Sequence, residues 1–452
     1  MKNILKIMML SFILFGCENE QDFLDTEYNG VVSVKKVSDY DLLLNARLIT
    51  APFTIEAPFL QWTDNYSPII GSDFGPTDRA AYLWDENIYA PGDDPTAWRK
   101  PYERIFTYNT ILNDAGNATN AESNKDLVET LKAEALLGRA FEYWVLLNLY
   151  APPYDGTNGN ELSVPFVETA DITAPLPDRM TIEALYNQIV SDVETALPSL
   201  PEIHSEGNHR GSKLGAYAFL SRLYLFKKEY NKVIEYADLA LGIKDDIDDY
   251  TDEEYSWVFD NIANNEKVYS RPTYIALFFS ANITEEFGRL YFTGLTDFYP
   301  FIGDDVRPSL WFYALGLEEL TLGLPFFYLD RGLSTPEIWL NKAEALVRSG
   351  DPVSMAEGLA IVNELRAKRI VDSLGFGTDL ISWTNDPEEI LGFVLEERRK
   401  EMATYAMRWF DMRRLQLEGR IGTITHSLPD GTTATLEEGS EKYTLAIPAS
   451  AL

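Results

Sequence analysis

Residues 396–415 read EERRKEMATYAMRWFDMRRL, and this stretch decides the fold. Upstream of it, Asp386 is placed as a helix cap and Pro387 suits the first turn. Glu389 stands where a capping box puts an acid. Apolar residues then recur at helical spacing: Leu391, Val394, Met402, Tyr405, Trp409 and Met412. The pattern predicts one amphipathic helix running through Leu415. Arg398 falls on the same apolar stripe. A buried arginine needs a carboxylate, because an unpaired charge in the interior is very costly. Glu397, Glu401 and Asp411 are the nearby candidates, so the helix is expected deep in the protein with its charges paired.

Working outward, residues 214–241 read as two helices joined at Lys228-Glu229-Tyr230. Tyr217, Leu220, Ser221, Tyr224, Tyr230, Val233, Ala237 and Ala240 fall at tetratricopeptide spacing, small residues allowing close approach and large ones filling the gaps. A weaker unit covers residues 335–369, with Ala343-Glu344-Ala345 on its first helix and a turn at Ser349-Gly350-Asp351-Pro352. Residues 127–149 and 181–197 read as a third, interrupted pair, and residues 38–48 as a helix capped by Ser38. The expected fold is mainly α: tetratricopeptide-like helical pairs with long loop-rich, partly β insertions around residues 50–97 and 257–330.

Those insertions differ in composition from the helices. The first holds Pro52, Pro58, Pro68, Gly71, Gly75, Pro76, Pro91 and Gly92 among Trp62, Asp64, Asn65, Tyr66, Trp84 and Tyr89. The second carries Arg289, Tyr291, Asp297, Tyr299, Trp311 and Tyr313, with strands expected at residues 268–270 and 273–279. Loops this long inside a domain are usually functional. Carbohydrate C–H patches stack on aromatic faces, and sugar hydroxyls bond to Asn, Asp and Arg. Trp62, Asn65, Tyr66, Trp84, Tyr89, Arg289, Tyr291, Tyr299, Trp311 and Tyr313 are therefore the candidate ligand-binding residues. Trp98, Trp144, Trp339 and Trp409 lie on helical stripes and are expected in the core.

The chain has 452 residues and a formal net charge of −33, with 25 Tyr, 24 Phe and 9 Trp. Such acidity argues against nucleic acid, whose phosphates need Lys and Arg, and against binding of the protein surface to anionic lipid. Residues 244–255 are rich in acids but lack the glycine and spacing of an EF-hand; a solvated loop is the plain reading and a calcium site the alternative. His204, His209 and His426 are scattered, in loop-like sequence, with no partner at metal-ligand spacing. No phosphate-binding or dinucleotide glycine pattern is present. No catalytic residue, metal or cofactor is expected, although 71 acidic residues leave a glycosidase pair open.

The single cysteine, Cys17, follows a basic start (Lys2, Lys6) and an apolar run too short to span a bilayer. Leu14-Phe15-Gly16-Cys17 looks like a bacterial lipobox. Residues 1–16 are then a lipoprotein signal peptide, Cys17 the lipidated residue, and residues 17–452 a single domain.

Several motifs together resemble the SusD/RagB family of Bacteroidetes outer-membrane lipoproteins. Glu397, Arg398, Arg399, Glu401, Arg408, Asp411, Met412 and Arg414 match its C-terminal signature; Tyr405 and Ala406 depart from the Glu-Gly usual there. Asp22-Phe23-Leu24-Asp25 is similar to the box after the lipobox. Trp98, Tyr102, Ile105 and Asn109 match a second motif, residues 164–201 a third, and Ile447-Pro448 a terminal one. The acidic run after Cys17 resembles the tag that sends such lipoproteins to the cell surface. The resemblance implies a SusD-like fold without enzymatic activity. It implies capture of a nutrient, most often a glycan or oligosaccharide, and its delivery to a SusC-like TonB-dependent outer-membrane transporter. It also implies a lipid anchor in the outer membrane, facing outward. Peptide capture, a surface glycosidase and a protein-binding helical scaffold are the alternatives.

Overall fold

The computed structural model describes residues 34–50, 61–68, 75–86, 88–89, 92, 95–252, 266–269, 272–273, 281–283, 304–307, 310, 313–314, 322–323, 329–330, 332–372 and 385–449. The signal segment and Cys17 lie outside the described residues.

The helices are α1 (Val37–Leu44), α2 (Arg47–Thr50), α3 (Pro76–Tyr82), α4 (Thr96–Asp114), α5 (Lys125–Tyr150) and α6 (Ile182–Ala196). They continue with α7 (Lys213–Phe226), α8 (Tyr230–Leu241), α9 (Thr335–Arg348), α10 (Pro352–Ala367), α11 (Pro387–Glu401) and α12 (Arg408–Leu415). Their starts are encoded locally. Thr181, Ser212, Ser334, Asp351 and Asp386 each accept a backbone N–H of the first turn of α6, α7, α9, α10 and α11. Each cap contributes about 1 kcal/mol. At α1 the expected cap moves: Lys36 precedes the helix, Ser38 lies inside its first turn rather than capping it, and the Asp39 carboxylate accepts the Lys35 and Lys36 N–H groups.

The mainly helical fold class is as expected. α7 packs on α8, α9 on α10, and α8 on α9, so the pairs stack into an array; α5 packs against both α4 and α6. Ser221, Ala237 and Ala240 are fully buried where the first pair meets. In the second pair, a Cβ on Gly358 of α10 would lie 2.8 Å from the Ala343 carbonyl oxygen, so the close approach requires glycine. Across the array, Arg222 of α7 donates to Glu337 of α9 at 2.7 Å, both buried. Trp98, Trp144, Trp339 and Trp409 are buried, as their spacing predicts.

The long signature helix is a correction. It breaks into α11 and α12, with Tyr405 extended (φ −105°, ψ 138°) and a tight turn in which Met407 N–H donates to the Tyr405 carbonyl. The break has an electrostatic consequence. On one straight helix, residues 13 apart lie about 20 Å from each other. The break brings Arg398 Nε to 2.9 Å from the Asp411 carboxylate, 13 residues on.

Short strands come mainly from the insertions. In chain order they include β2 (Leu162–Pro165), β3 (Arg179–Thr181), β7 (Asp304–Asp305), β10 (Leu329–Asp330), β11 (Leu333–Ser334) and β12 (Ile370–Val371). β1 (Tyr66–Pro68) pairs with β6 (Ala281–Ile283), β6 with β9 (Leu322–Gly323), and β9 with β8 (Tyr313–Ala314). The strand expected at residues 268–270 appears as β4 (Lys267–Tyr269), and that expected at 273–279 begins with Thr273 in β5 (Pro272–Thr273), while residues 270 and 274–279 lie outside the described residues. His426, expected in a loop, lies in a hairpin of β13 (Ile424–Ser427) and β14 (Thr433–Leu436). Among the described residues, no helix is long and apolar enough to cross a membrane.

Candidate ligand-binding face

The signature helices form a charge hub that holds both insertions. On the side of the first insertion, Arg408 Nε donates to the Asp64 carboxylate at 2.7 Å and Arg399 lies 3.1 Å from it. Arg399 Nε also donates to Asn65 Oδ1 at 2.8 Å. Burial pushes the Asp64 carboxyl up, but the Arg408 and Arg399 guanidiniums outweigh that and hold it well below the usual aspartate range.

On the side of the second insertion, Arg307 pairs with Glu397 at 2.7 Å and with Glu401 at 2.8 Å. Arg369 pairs with Glu401 and, at 2.6 Å, with Glu266. Burial would raise the Glu397 pKa; Arg307, Lys400 and Arg366 hold it down. Behind both, Arg398 joins Asp411 and Asn341, and Arg414 joins Asp411 and Glu344. Of the three carboxylates that the sequence offers Arg398, Asp411 is the one that pairs with it, while Glu397 and Glu401 turn to Arg307; Glu337, from α9, adds a longer contact at 3.6 Å. Arg307, Arg369 and Glu266 were not singled out by sequence; Arg307 also pairs with nearby Asp305, but its contacts to Glu397 and Glu401, and that of Arg369 to Glu266, span about 90 residues or more.

The four-stranded sheet then joins the two insertions. Ser67, Asn282, Gly323 and Tyr313 form one row across it, and Tyr66 sits one residue off that row, opposite Ile283. The outer strands carrying Tyr66 and Tyr313 are three strand spacings apart, about 14 Å.

The aromatic candidates separate clearly. Trp62, Asn65 and Trp84 are interior residues, which corrects their expected place on a ligand face. Trp62, 1% exposed, packs on Trp409 with ring centroids 5.3 Å apart. Trp84 donates its Nε1–H to the Trp62 carbonyl at 3.0 Å and stacks on the His426 ring. The segment folds back over α12 and the β13–β14 hairpin, where burying these rings stabilises more than presenting them to solvent. Tyr89 is half-buried, Tyr66 and Tyr313 are placed on strands, and Arg289, Tyr291, Tyr299 and Trp311 lie outside the described residues. Of the acidic loop at residues 244–255, residues 253–255 lie outside the described residues, and the described part forms no metal-holding cluster with other described residues.

Comparison with known proteins follows the same division. Residues 23–225 match the family described as starch-binding, associating with the outer membrane, and residues 335–444 match the SusD family. SusD-like protein P2 of Formosa agariphila is 23% identical over 411 residues, covering 77% of this chain and 78% of its own. A SusD superfamily protein of Bacteroides thetaiotaomicron superposes with a TM-score of 0.72 at 20% identity, over 92% of this chain and 97% of that one. A putative sugar binding protein of Bacteroides vulgatus superposes with a TM-score of 0.70 at 21% identity, over 93% and 97%. With these two family matches together spanning most of the chain, and the signature residues inside the second, the chain belongs to the SusD/RagB family.

Proposed function

We propose that this protein is a cell-surface lipoprotein that captures a nutrient, a glycan or oligosaccharide, and hands it to a TonB-dependent outer-membrane transporter. The observation that carries the reading is the joining of two loop-rich, aromatic insertions in one sheet, anchored to one charge hub. A rigid scaffold that positions variable loops is the arrangement of a binding protein. The sugar-binding description of the similar Bacteroides vulgatus structure points the same way. In this reading residues 17–452 act as one unit, Cys17 carries the lipid in the outer leaflet of the outer membrane, and no bond in the ligand is broken.

Candidate ligand contacts are reduced to Tyr66, Tyr89, Arg289, Tyr291, Tyr299, Trp311 and Tyr313. The test is calorimetry of the protein without its lipid anchor against a panel of plant, host and microbial glycans, with product analysis of the same mixtures. Binding without cleavage is the expected result. Cleavage moves the protein to the glycosidases; silence across the panel, with binding of peptides, overturns the glycan assignment.

A further inference from the structure

Of the arginines on α12, two have carboxylate partners: Arg408 has Asp64, and Arg414 has Glu344 and Asp411. Arg413 differs. It is 2% exposed, and among the described residues no carboxylate pairs with it. Its Nη2 donates to the carbonyl oxygen of Ala151, the residue that follows α5. Its Nε and Nη1 have no hydrogen-bond acceptor among the described residues.

A buried cation in this state needs compensation. The C-terminus of α5 contributes the equivalent of about half a negative charge, and Ala151 is its contact point. That leaves the remainder of the charge, and the N–H groups of two guanidinium nitrogens, unanswered. Losing the proton is no escape near neutrality: burial pulls the Arg413 pKa down from its ordinary 12.5, but only to about 9. The titratable group on the facing element is the Tyr186 hydroxyl of α6, whose own pKa is raised by burial, so it stays neutral and supplies no charge.

We propose that Arg413 is a buried binding site for a small monovalent anion of the halide class. A spherical anion accepts N–H donors from any direction, whereas a divalent anion would overcompensate one guanidinium. A water molecule would satisfy donors but not the charge. The anion would complete the junction between α12 and the end of α5, and it would be structural rather than a captured nutrient.

Two measurements on the full-length chain test this. In crystals grown with bromide, an anomalous peak is expected within about 3.5 Å of an Arg413 guanidinium nitrogen. In solution, the unfolding midpoint is expected to rise by about 2 °C or more between about 10 and 500 mM chloride, with ionic strength held by gluconate. In Arg413→Met that chloride-specific rise should vanish. A well-ordered Arg413 with only water against it in bromide crystals overturns the proposal, and so does a chloride response that persists in Arg413→Met. The crystallographic arm needs no variant, so it stands even where Arg413→Met does not fold.

Discussion

Arg408 and Asp64 meet in a bidentate pair, at 2.7 and 2.5 Å, although 344 residues separate them in the chain. The contact fastens the first insertion to the last helix of the signature. Asp64→Ala leaves the Arg408 and Arg399 charges without their shared partner. We expect a loss of about 3–5 kcal/mol in urea unfolding. Asp64 is held below its ordinary 3.8 in the folded state, so its contribution is present above that value and lost as pH falls below it. An unchanged urea midpoint in Asp64→Ala at pH 7 would show that the hub does not hold this insertion.

His426 supplies a second pH-dependent term, of the same sense but in a higher window. Its ring lies between Tyr82 and Trp84, with centroids 4.1 and 3.9 Å away, and its nitrogens face the Tyr82 and Thr63 carbonyls. Burial pushes its pKa down from 6.5 to about 4, against the pull of those two carbonyls. The unfolded chain therefore takes up the proton first. Stability is full above pH 6.5 and falls as pH drops from there to about 4, by up to about 3 kcal/mol. Comparing urea midpoints at several pH values for the wild type and His426→Gln isolates this slope, because the carboxylates titrate in both. Equal slopes would mean that His426 is charged in the fold.

Trp62→Ala and Trp84→Ala are expected to act as core truncations. Each should cost about 3–5 kcal/mol of stability in thermal or urea unfolding. Tyr89→Ala, at a half-buried position, should cost far less. If Trp62→Ala instead kept its stability and lost glycan affinity, the ring would belong to the ligand face after all.

Gly358→Ala tests the helical pair. The added methyl carbon would lie 2.8 Å from the Ala343 carbonyl oxygen and 2.9 Å from Val347 Cγ2, so α9 and α10 must move apart. A loss of about 1–3 kcal/mol is expected, read as a lower unfolding midpoint with helical circular dichroism unchanged at low temperature. A neutral or stabilising result would show that the pair has slack at this point.

The helix start at Asp386, the small residues of the α7–α8 pair and the core tryptophans were legible in the sequence. Each depends on neighbours within a turn or two, or on one periodic stripe. So was the need of Arg398 for a carboxylate, because charge burial is costly in any fold. The geometry that meets this need was not: Asp411 reaches Arg398 only because the chain breaks at Tyr405. The positions of Trp62 and Trp84 were likewise decided by α12 and the β13–β14 hairpin, more than 300 residues further along the chain. An aromatic residue in a loop has the same local signal whether it meets a sugar or another ring. Only the tertiary structure distinguishes the two, since burial depends on which distant surface the loop meets.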